Sequence, residues 1–271
     1  MKRAILPSLF LIISIVLGAC STATPTPVAS DPMEFITDFD GREITVGVEN
    51  TYPPFNMLDP DTDEGIGWDY DVYREICRRL NCVPVFVEIM WPPFEMMAAG
   101  ELDTVGDGIT IKLNRSQVVD YSDPYIEYGM IMMMRTDNVY ETAEDFAADP
   151  EARVASQAGT TNEAAALALV GEDRIDNYVE WPIGVVALLA GDNDGMAIDS
   201  VAAVAYIQEH PDDLMAGFSL TSGELLALIY PPGSPLQGPF NKAIQDMLND
   251  GTMDAICQKW LLTNCSSEEE L

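Results

Sequence analysis

The sequence predicts an α/β fold with largely parallel sheets. Apolar runs of strand length alternate with helical patterns along most of the chain. The length of 271 residues is long for one compact core and typical of two lobes. The hydrophobic content of 48% is ample for packed interiors and excludes a disordered chain.

The predicted strands are short apolar runs bounded by polar or turn residues. They cover residues 44–48, 84–89, 128–135, 153–157, 194–198 and 225–230. Apolar residues repeat at helical spacing from Val72, and Asp69 or Asp71 is expected to cap that helix. Thr160 and Glu163 predict a capping box at the start of an alanine-rich helix. Further helical patterns cover residues 94–99, 141–148, 182–189, 199–207, 235–249 and 253–262.

The N-terminal residues are predicted to be a targeting segment outside the fold. Lys2 and Arg3 precede an apolar core that is too short for a spanning helix. Leu-Gly-Ala-Cys, ending at Cys20, resembles a bacterial lipobox, which implies cleavage before Cys20 and lipidation of its thiol. An ordinary signal peptide with a chance cysteine is the alternative.

The N-terminal pattern predicts an exported protein that a lipid anchors to a membrane. Residues 1–19 are assigned as a lipoprotein signal peptide, 20–40 as a Ser/Thr/Pro-rich tether, and 266–271 as an acidic tail. No later stretch is long and apolar enough to span. The expected location is the periplasm or cell surface, with the lipid anchor as the only membrane attachment.

The charge balance is strongly acidic. The chain has 45 Asp and Glu against 13 Lys and Arg, a formal net charge of −32 that cleavage before Cys20 would shift to −34. Such a field repels nucleic acid and anionic membrane surfaces, so no nucleic-acid partner is expected. An acidic excess is more often a solubility adaptation than a binding feature, although it modestly favours a cationic ligand.

Beyond the lipobox, the cysteines are Cys77, Cys82, Cys257 and Cys265. Export permits disulfides, and four cysteines allow three pairings. Because each pair is close in sequence, two local bridges are favoured. No metal site or cofactor is expected, since His210 is the only histidine and no Cys-x-x-Cys occurs.

The segment 107–115, Asp-Gly-Ile-Thr-Ile-Lys-Leu-Asn-Arg, contains the parts of a carboxylate clamp. Gly108 permits close approach to the backbone, Thr110 supplies a hydroxyl and an N–H, and Arg115 supplies a fork that fits a carboxylate. The alternative is a strand running into a turn, with Arg115 on the surface.

Eight short motifs occur in a fixed order around this segment. They are residues 46–47 with 52–55, 67–71, 91 with 100–103, 108–111 with 115, 121–125, 154–160, 195–199 and 251–260. Together they resemble the family-3 extracellular solute-binding proteins, the amino-acid-binding subunits of ABC importers. The resemblance runs from about residue 41 to residue 262.

The resemblance implies a type II periplasmic-binding-protein fold. In that family two α/β lobes are joined by two hinge strands, and the ligand is caught in the cleft between them. The crossing strands would lie near Met130 and Leu226. Lobe 1 would then contain residues 41–130 and 227–265, and lobe 2 residues 131–226.

The resemblance also implies which residues hold the amino-acid group of the ligand. Arg115, Thr110 and Gly108 would bind the α-carboxylate, together with the Thr161 N–H at a helix N-terminus, which favours anions. Asp199 would pair with the α-ammonium; its alternative role is a simple helix N-cap.

Four further residues would contact the ligand side chain. Tyr52 and Trp91 would stack on it, and Glu49 and Gln157 would read its polarity. Lys112, where the family usually has a small hydroxyl residue, favours an acidic side chain, whereas Glu49 favours a basic or amide one. This conflict stays open in the sequence.

Other departures from the family pattern are Asp107, an unexpected acid beside the clamp glycine, and Asn114, where glutamate is usual. The segment 91–103 is about one residue short, which bears on the role of Trp91.

The favoured function is a monomeric binding subunit that captures a polar amino acid for a membrane permease and is not an enzyme. One alternative is an enzyme resembling cyclohexadienyl or arogenate dehydratase, with Glu49 and Asp199 as its acid/base pair. The other is a ligand sensor acting through a separate membrane kinase.

Overall fold

Two five-stranded sheets, one in each of two lobes, organise the computed structural model, which describes residues 38–265. The strands are β1 (Arg42–Val48), β2 (Thr51–Tyr52), β3 (Asn56–Leu58), β4 (Gly65–Ile66), β5 (Cys82–Glu88), β6 (Thr104–Val105), β7 (Asp120–Tyr121), β8 (Ile126–Tyr128), β9 (Met130–Arg135), β10 (Val154–Gln157), β11 (Ile175–Tyr178), β12 (Gly195–Asp199), β13 (Leu214–Ser219), β14 (Glu224–Leu226) and β15 (Ile229–Tyr230). The helices are α1 (Trp68–Leu80), α2 (Phe94–Ala99), α3 (Ala143–Ala148), α4 (Thr161–Val170), α5 (Trp181–Ala190), α6 (Ser200–Glu209), α7 (Gln237–Asn249) and α8 (Thr252–Trp260). The predicted α/β class is confirmed, but the expectation of largely parallel sheets is wrong, because each five-stranded sheet has two parallel and two antiparallel pairings.

The first sheet has the strand order β5-β1-β6-β15-β7. β1 pairs in parallel with β5 and β6, whereas β15 runs antiparallel to β6 and β7. Helix α1 packs on this sheet and buries Val72, Ile76 and Leu80, as their spacing predicts. Each such side chain contributes about 1.5–3 kcal/mol by leaving water.

The predicted cap of α1 by Asp69 or Asp71 is wrong. Gly67 occupies the N-cap position, and no side chain caps the helix there. Asp69 instead turns into the protein and accepts a hydrogen bond from Asn56 Nδ2 at 2.9 Å. Asp71 accepts one from Trp260 Nε1 at 2.7 Å. Tertiary partners therefore take both carboxylates away from the helix end.

The second sheet has the order β11-β10-β12-β9-β13, with β10 parallel to β11 and β12, and β9 antiparallel to β12 and β13. The predicted capping box opens α4 beside β10. Thr160 Oγ1 accepts from Glu163 N at 3.0 Å. The Glu163 carboxylate accepts from Gly159 N at 2.7 Å, one residue before the position that a capping box usually satisfies.

A two-stranded antiparallel sheet of β8 and β14 lies where the chain passes between the five-stranded sheets. The run predicted as one strand, residues 225–230, is split: β14 ends at Leu226 and β15 begins at Ile229. Residues 226–230 are buried and Leu225 is exposed, so burial accounts for most of this apolar run, whose two ends belong to different sheets. The division into residues 41–130 with 227–265 and residues 131–226 stays a prediction.

Two local disulfides, Cys77–Cys82 and Cys257–Cys265, confirm the favoured pairing. The first joins the end of α1 to the start of β5, and the second joins α8 to the segment that follows it. Within residues 38–265 no helix is both long and apolar enough to cross a membrane. The predicted signal peptide, Cys20, most of the tether and the whole acidic tail lie outside the described residues.

Candidate ligand-binding site

A cavity lies between the two sheets, next to the carboxyl ends of β1 and β12. It contains about 290 Å³ of space free of protein atoms, part of it open to solvent. All nine residues predicted to bind ligand line it: Glu49, Tyr52, Trp91, Gly108, Thr110, Arg115, Gln157, Thr161 and Asp199. Four others also line it: Asp107, Thr160, Asn162 and Trp181. Which of these side chains contact a ligand stays a prediction.

The backbone at Gly108 needs a glycine. Its φ is +54°, and a Cβ added there would lie 2.7 Å from Cε1 of Tyr52. Two residues further on, Thr110 Oγ1 lies 2.8 Å from the hydroxyl of Tyr128 and 3.0 Å from Oγ1 of Thr161. The segment 107–115 thereby meets the start of helix α4 from the other lobe.

Arg115 is only 8% exposed, so the alternative that places it on the surface is wrong. Its guanidinium donates to the carbonyl oxygens of Thr110 and Gly159, each at 3.2 Å. It also lies over the rings of Trp91 and Phe94, 5.4 and 4.7 Å from their centroids. Four neighbours thus hold the guanidinium in one place.

This guanidinium has no acidic partner within salt-bridge distance among residues 38–265. Burial lowers the pKa of Arg115, yet arginine stays charged in proteins. The N-terminal end of α4, at Thr161, opens on the same cavity and adds a partial positive charge. A buried cation beside a helix N-terminus is suited to an anionic group.

Asp199 ends β12 and occupies the N-cap position of α6, but its side chain does not cap that helix. Its carboxylate accepts hydrogen bonds from Asn162 Nδ2 at 2.9 Å and from the hydroxyl of Tyr52. Burial raises the pKa of Asp199 to about 6, against the lowering effect of these two donors. The side chain therefore faces the cavity, where it can pair with a cation.

Glu49 and Gln157 meet on another wall of the cavity. Gln157 Nε2 donates to Glu49 Oε1 at 2.6 Å and to the carbonyl of Val179 at 3.0 Å. Burial, together with the nearby carboxyls of Asp107 and Glu180, raises the pKa of Glu49 to about 8. This wall holds a carboxyl group that ionises only with difficulty while the cavity is empty.

Tyr52 lies in a stack of aromatic rings. Its ring is 5.2 Å from that of Phe55 and 5.2 Å from that of Trp181, at interplanar angles of 24° and 23°. Sequence reasoning missed Trp181, because a tryptophan at the start of an apolar helix is typical of a core residue. Its position directly before Pro182, at the first turn of α5, was the available signal.

Lys112 does not line the cavity. Its Nζ donates to Oε2 of Glu224, in β14, at 2.5 Å. The conflict that Lys112 and Glu49 pose in the sequence is thereby resolved, because only Glu49 faces the cavity. Asp107, Asn162 and Trp181 are the cavity residues to which the sequence assigned no role.

Comparison with known proteins identifies the family that the sequence matches and proteins with a similar sequence. Residues 44–263 match the family described as bacterial extracellular solute-binding proteins, family 3. The L-cystine-binding protein TcyA of Bacillus subtilis (strain 168) is 26% identical over 282 residues, covering 96% of this chain and 97% of TcyA.

Two solved structures are similar in fold and sequence. An ancestral arginine-binding protein bound to arginine has a TM-score of 0.73 and 28% identity, covering 82% of this chain and 99% of that one. The ancestral amino acid-binding protein AncCDT-1, described as a precursor of cyclohexadienyl dehydratase, has a TM-score of 0.75 and 28% identity, covering 81% of this chain and 95% of that one.

Proposed function

The chain belongs to family 3 of the bacterial extracellular solute-binding proteins, and we propose that it captures an amino acid in its cavity for delivery to the permease of an ABC importer. One observation carries the proposal: a buried cation with no acidic partner among residues 38–265 and a buried carboxylate line the same cavity. A zwitterion needs one counter-charge for each end, and Arg115 and Asp199 supply them.

The proposed contacts follow from this arrangement. Arg115, Gly108, Thr110 and the N–H of Thr161 bind the α-carboxylate, since charge-assisted and bidentate hydrogen bonds are the strong ones. Asp199 binds the α-ammonium, which replaces the Tyr52 hydroxyl as the donor to its carboxylate. The other predicted contacts, Glu49, Tyr52, Trp91 and Gln157, surround the ligand side chain.

Capture works through closure of the cavity. Pairs such as Gln157 with Glu49 and Thr161 with Thr110 already join the two lobes across it. A ligand that touches both walls adds contacts available only when they are close, and it shifts an open–closed equilibrium by that differential affinity. The closed form is the one we propose to dock on the permease.

The chain is a binding protein rather than an enzyme. Its family is that of extracellular solute-binding proteins, the similar protein TcyA binds L-cystine, and the dehydratase precursor among the similar structures is itself described as an amino acid-binding protein. We therefore give Glu49 and Asp199 binding roles and no acid/base role in catalysis.

The family is extracytoplasmic. We propose in addition that residues 1–19 are removed, that Cys20 carries the lipid, that residues 20–40 form the tether, and that the protein acts as a monomer. The lipobox pattern before Cys20 supports the anchor.

A thermal-shift screen of the purified chain against the common amino acids tests the function. A ligand at 100 times its Kd stabilises the folded state by about 2.7 kcal/mol, which raises the melting temperature by about 5–10 °C for a chain of this size. We expect such a rise with at least one amino acid. A rise with prephenate and with no amino acid would contradict the proposal.

Replacement of the lipidated cysteine tests the anchor. Cys20→Ser should move the protein from the membrane fraction to the soluble fraction, because the hydroxyl cannot form the thioether of a lipidated cysteine. Ser21→Ala changes the neighbouring residue and should leave the protein in the membrane fraction. The fractions are compared by immunoblot; a Cys20→Ser variant that stays membrane-bound would rule out the lipid anchor.

A further inference from the structure

The cavity has more carboxyl groups than the amino-acid part of a ligand requires. Glu49, Asp107 and Asp199 line it, and Arg115 is the only lysine or arginine among its lining residues. If Arg115 and Asp199 take the α-carboxylate and α-ammonium, Glu49 and Asp107 are left over. Neither has a basic partner within salt-bridge distance in the part of the chain that the structure describes.

Asp107 is an incompletely satisfied group in the cavity wall. It is 2% exposed, and its Oδ1 accepts from Asn56 Nδ2 at 2.7 Å. Its Oδ2 is buried and has no hydrogen-bond partner among the described residues, although the backbone N–H of Glu49 is close enough to lower the pKa of the carboxyl. A buried acceptor of this kind is costly to leave without a donor. A ligand is the available source of that donor, because Asp107 lines the cavity.

A second buried acid, Asp69, shares the donor Asn56 with Asp107. Asn56 Nδ2 donates to Asp69 as well as to Asp107, and Asn56 Oδ1 accepts from the backbone N–H of Asn50 at 2.7 Å. This network holds Asp107 in place without supplying a positive charge. The network therefore gives the carboxyl of Asp107 no counter-charge.

We propose that Glu49 and Asp107 together recognise a positively charged side chain, so that the ligand class is amino acids with a cationic side chain. The inference rests on the proposed function, since it uses Arg115 and Asp199 for the α-groups. Two carboxylates on one wall match the several N–H donors of a guanidinium or ammonium group. A bound cation also removes the cost of the unpaired oxygen of Asp107.

Two other occupants fit this wall less well. The described residues contain no group of three acidic, histidine or cysteine side chains placed to hold a metal ion. A neutral amide side chain supplies no counter-charge, so the carboxyls of Glu49 and Asp107 would have to stay protonated beside it as the pH rises towards 8. Lys112 is no internal counter-charge either, because it is paired with Glu224.

The raised pKa values of these two carboxyls make the proposed affinity for a cation depend on pH. Burial raises the pKa of Asp107 to about 7, and burial with the nearby Asp107 carboxyl raises that of Glu49 to about 8. The titratable groups facing this pair are Glu180 and Tyr206 beside Glu49, and Asp69, Tyr52 and Tyr125 beside Asp107. The empty wall thus holds protons near neutral pH.

The sign of the resulting pH dependence is determined by the charge of the ligand. A bound cation favours the ionised carboxylates, so both pKa values fall on binding and protons are released. Affinity for a cationic side chain should therefore rise as the pH rises from about 6 to about 8. The carboxyl of Asp199, with its pKa of about 6, contributes equally for every amino acid and cancels in a comparison of two ligands.

Calorimetric titration of the full chain with L-arginine and L-citrulline tests the proposal. These ligands have nearly the same size, but only arginine carries a charged side chain. We expect arginine to bind about 30-fold or more tightly than citrulline, which is the lower end of the effect of losing one partner of a buried charge pair. The ratio of the two Kd values should grow between pH 6 and pH 8. Equal or tighter binding of citrulline would overturn the proposal.

The Asp107→Asn variant tests whether the preference for arginine over citrulline depends on this wall. The variant keeps the acceptor for Asn56 and should weaken arginine binding about 30-fold or more, while citrulline binding changes by no more than about twofold. Glu144→Gln, which removes the same charge from the exposed surface of α3, should leave the arginine-to-citrulline ratio unchanged. An unchanged ratio in Asp107→Asn, or an equal fall in Glu144→Gln, would overturn the assignment.

Two further results separate this inference from the proposed function. Binding of glutamine or another neutral amino acid without binding of arginine would end the inference and leave the proposed function standing. Failure of every amino acid to bind would end both. If Asp107→Asn does not fold, Glu49→Gln tests the same wall, with citrulline binding as the sign that the site is intact.

Discussion

Arg115→Ala is expected to abolish amino-acid binding while the chain keeps its fold. The guanidinium is the buried cation that we assign to the α-carboxylate, and within the described part of the chain it forms no salt bridge that the substitution would break. Without it, the ligand carboxylate would be buried with only N–H and hydroxyl donors. Truncating one side of such a pair costs 2–5 kcal/mol or more, which corresponds to about 30-fold to a few thousand-fold in Kd.

Calorimetry with whichever amino acid raises the melting temperature of the wild type measures this effect. Arg115→Lys is the matched variant, because it keeps the charge but loses the planar fork and should recover only part of the affinity. The circular dichroism spectrum should be that of the wild type. Undiminished affinity in the folded Arg115→Ala variant would remove Arg115 from the site.

Asp199→Asn is expected to weaken binding of every amino acid by a similar factor, about 30-fold or more. The change removes the counter-charge of the α-ammonium but keeps an oxygen that can accept from Asn162. Because the α-ammonium is common to all amino acids, the loss should not depend on the ligand side chain. This pattern differs from that of Asp107→Asn, which should affect cationic side chains alone.

The ligand provides the control for Asp199. An analogue that lacks the α-amino group should bind the wild type weakly and should bind Asp199→Asn no worse. Ser200→Ala, at the next position of the same strand-to-helix junction, should leave affinity unchanged, because that side chain does not line the cavity. If Asp199→Asn lost as much affinity for the analogue as for the amino acid, Asp199 would act on the shape of the cavity rather than on the ammonium.

Long, periodic elements were predictable from the sequence, whereas short strands were not. The burial of Val72, Ile76 and Leu80 on one face of α1 follows from their spacing. Strands such as β7 and β15 have only two residues each, too few to display a period. The pairing partner of each strand, rather than its own composition, makes it a strand.

The parts of the candidate site that are close together in the sequence were also predictable. Gly108, Thr110 and Arg115 lie within one segment, and their chemistry can be assessed from that segment. What the structure adds is burial: it places Arg115 inside the protein and turns Lys112, three residues earlier, away from the cavity. The sequence does not reveal which side chains of an irregular segment face inward.

The sequence predicted the α/β class and favoured the local disulfide pairing, and its resemblance to the family indicated which residues would hold a zwitterion. The groups around the expected position of the ligand side chain could be identified from the folded chain alone. The Glu49–Gln157 hydrogen bond joins residues 108 positions apart in the sequence, and the Tyr52–Asp199 hydrogen bond joins residues 147 positions apart. Asp107 becomes notable only when its buried, unpaired oxygen is seen beside Glu49. Desolvation and charge repulsion depend on distances in space, and folding creates those distances between residues far apart in the chain.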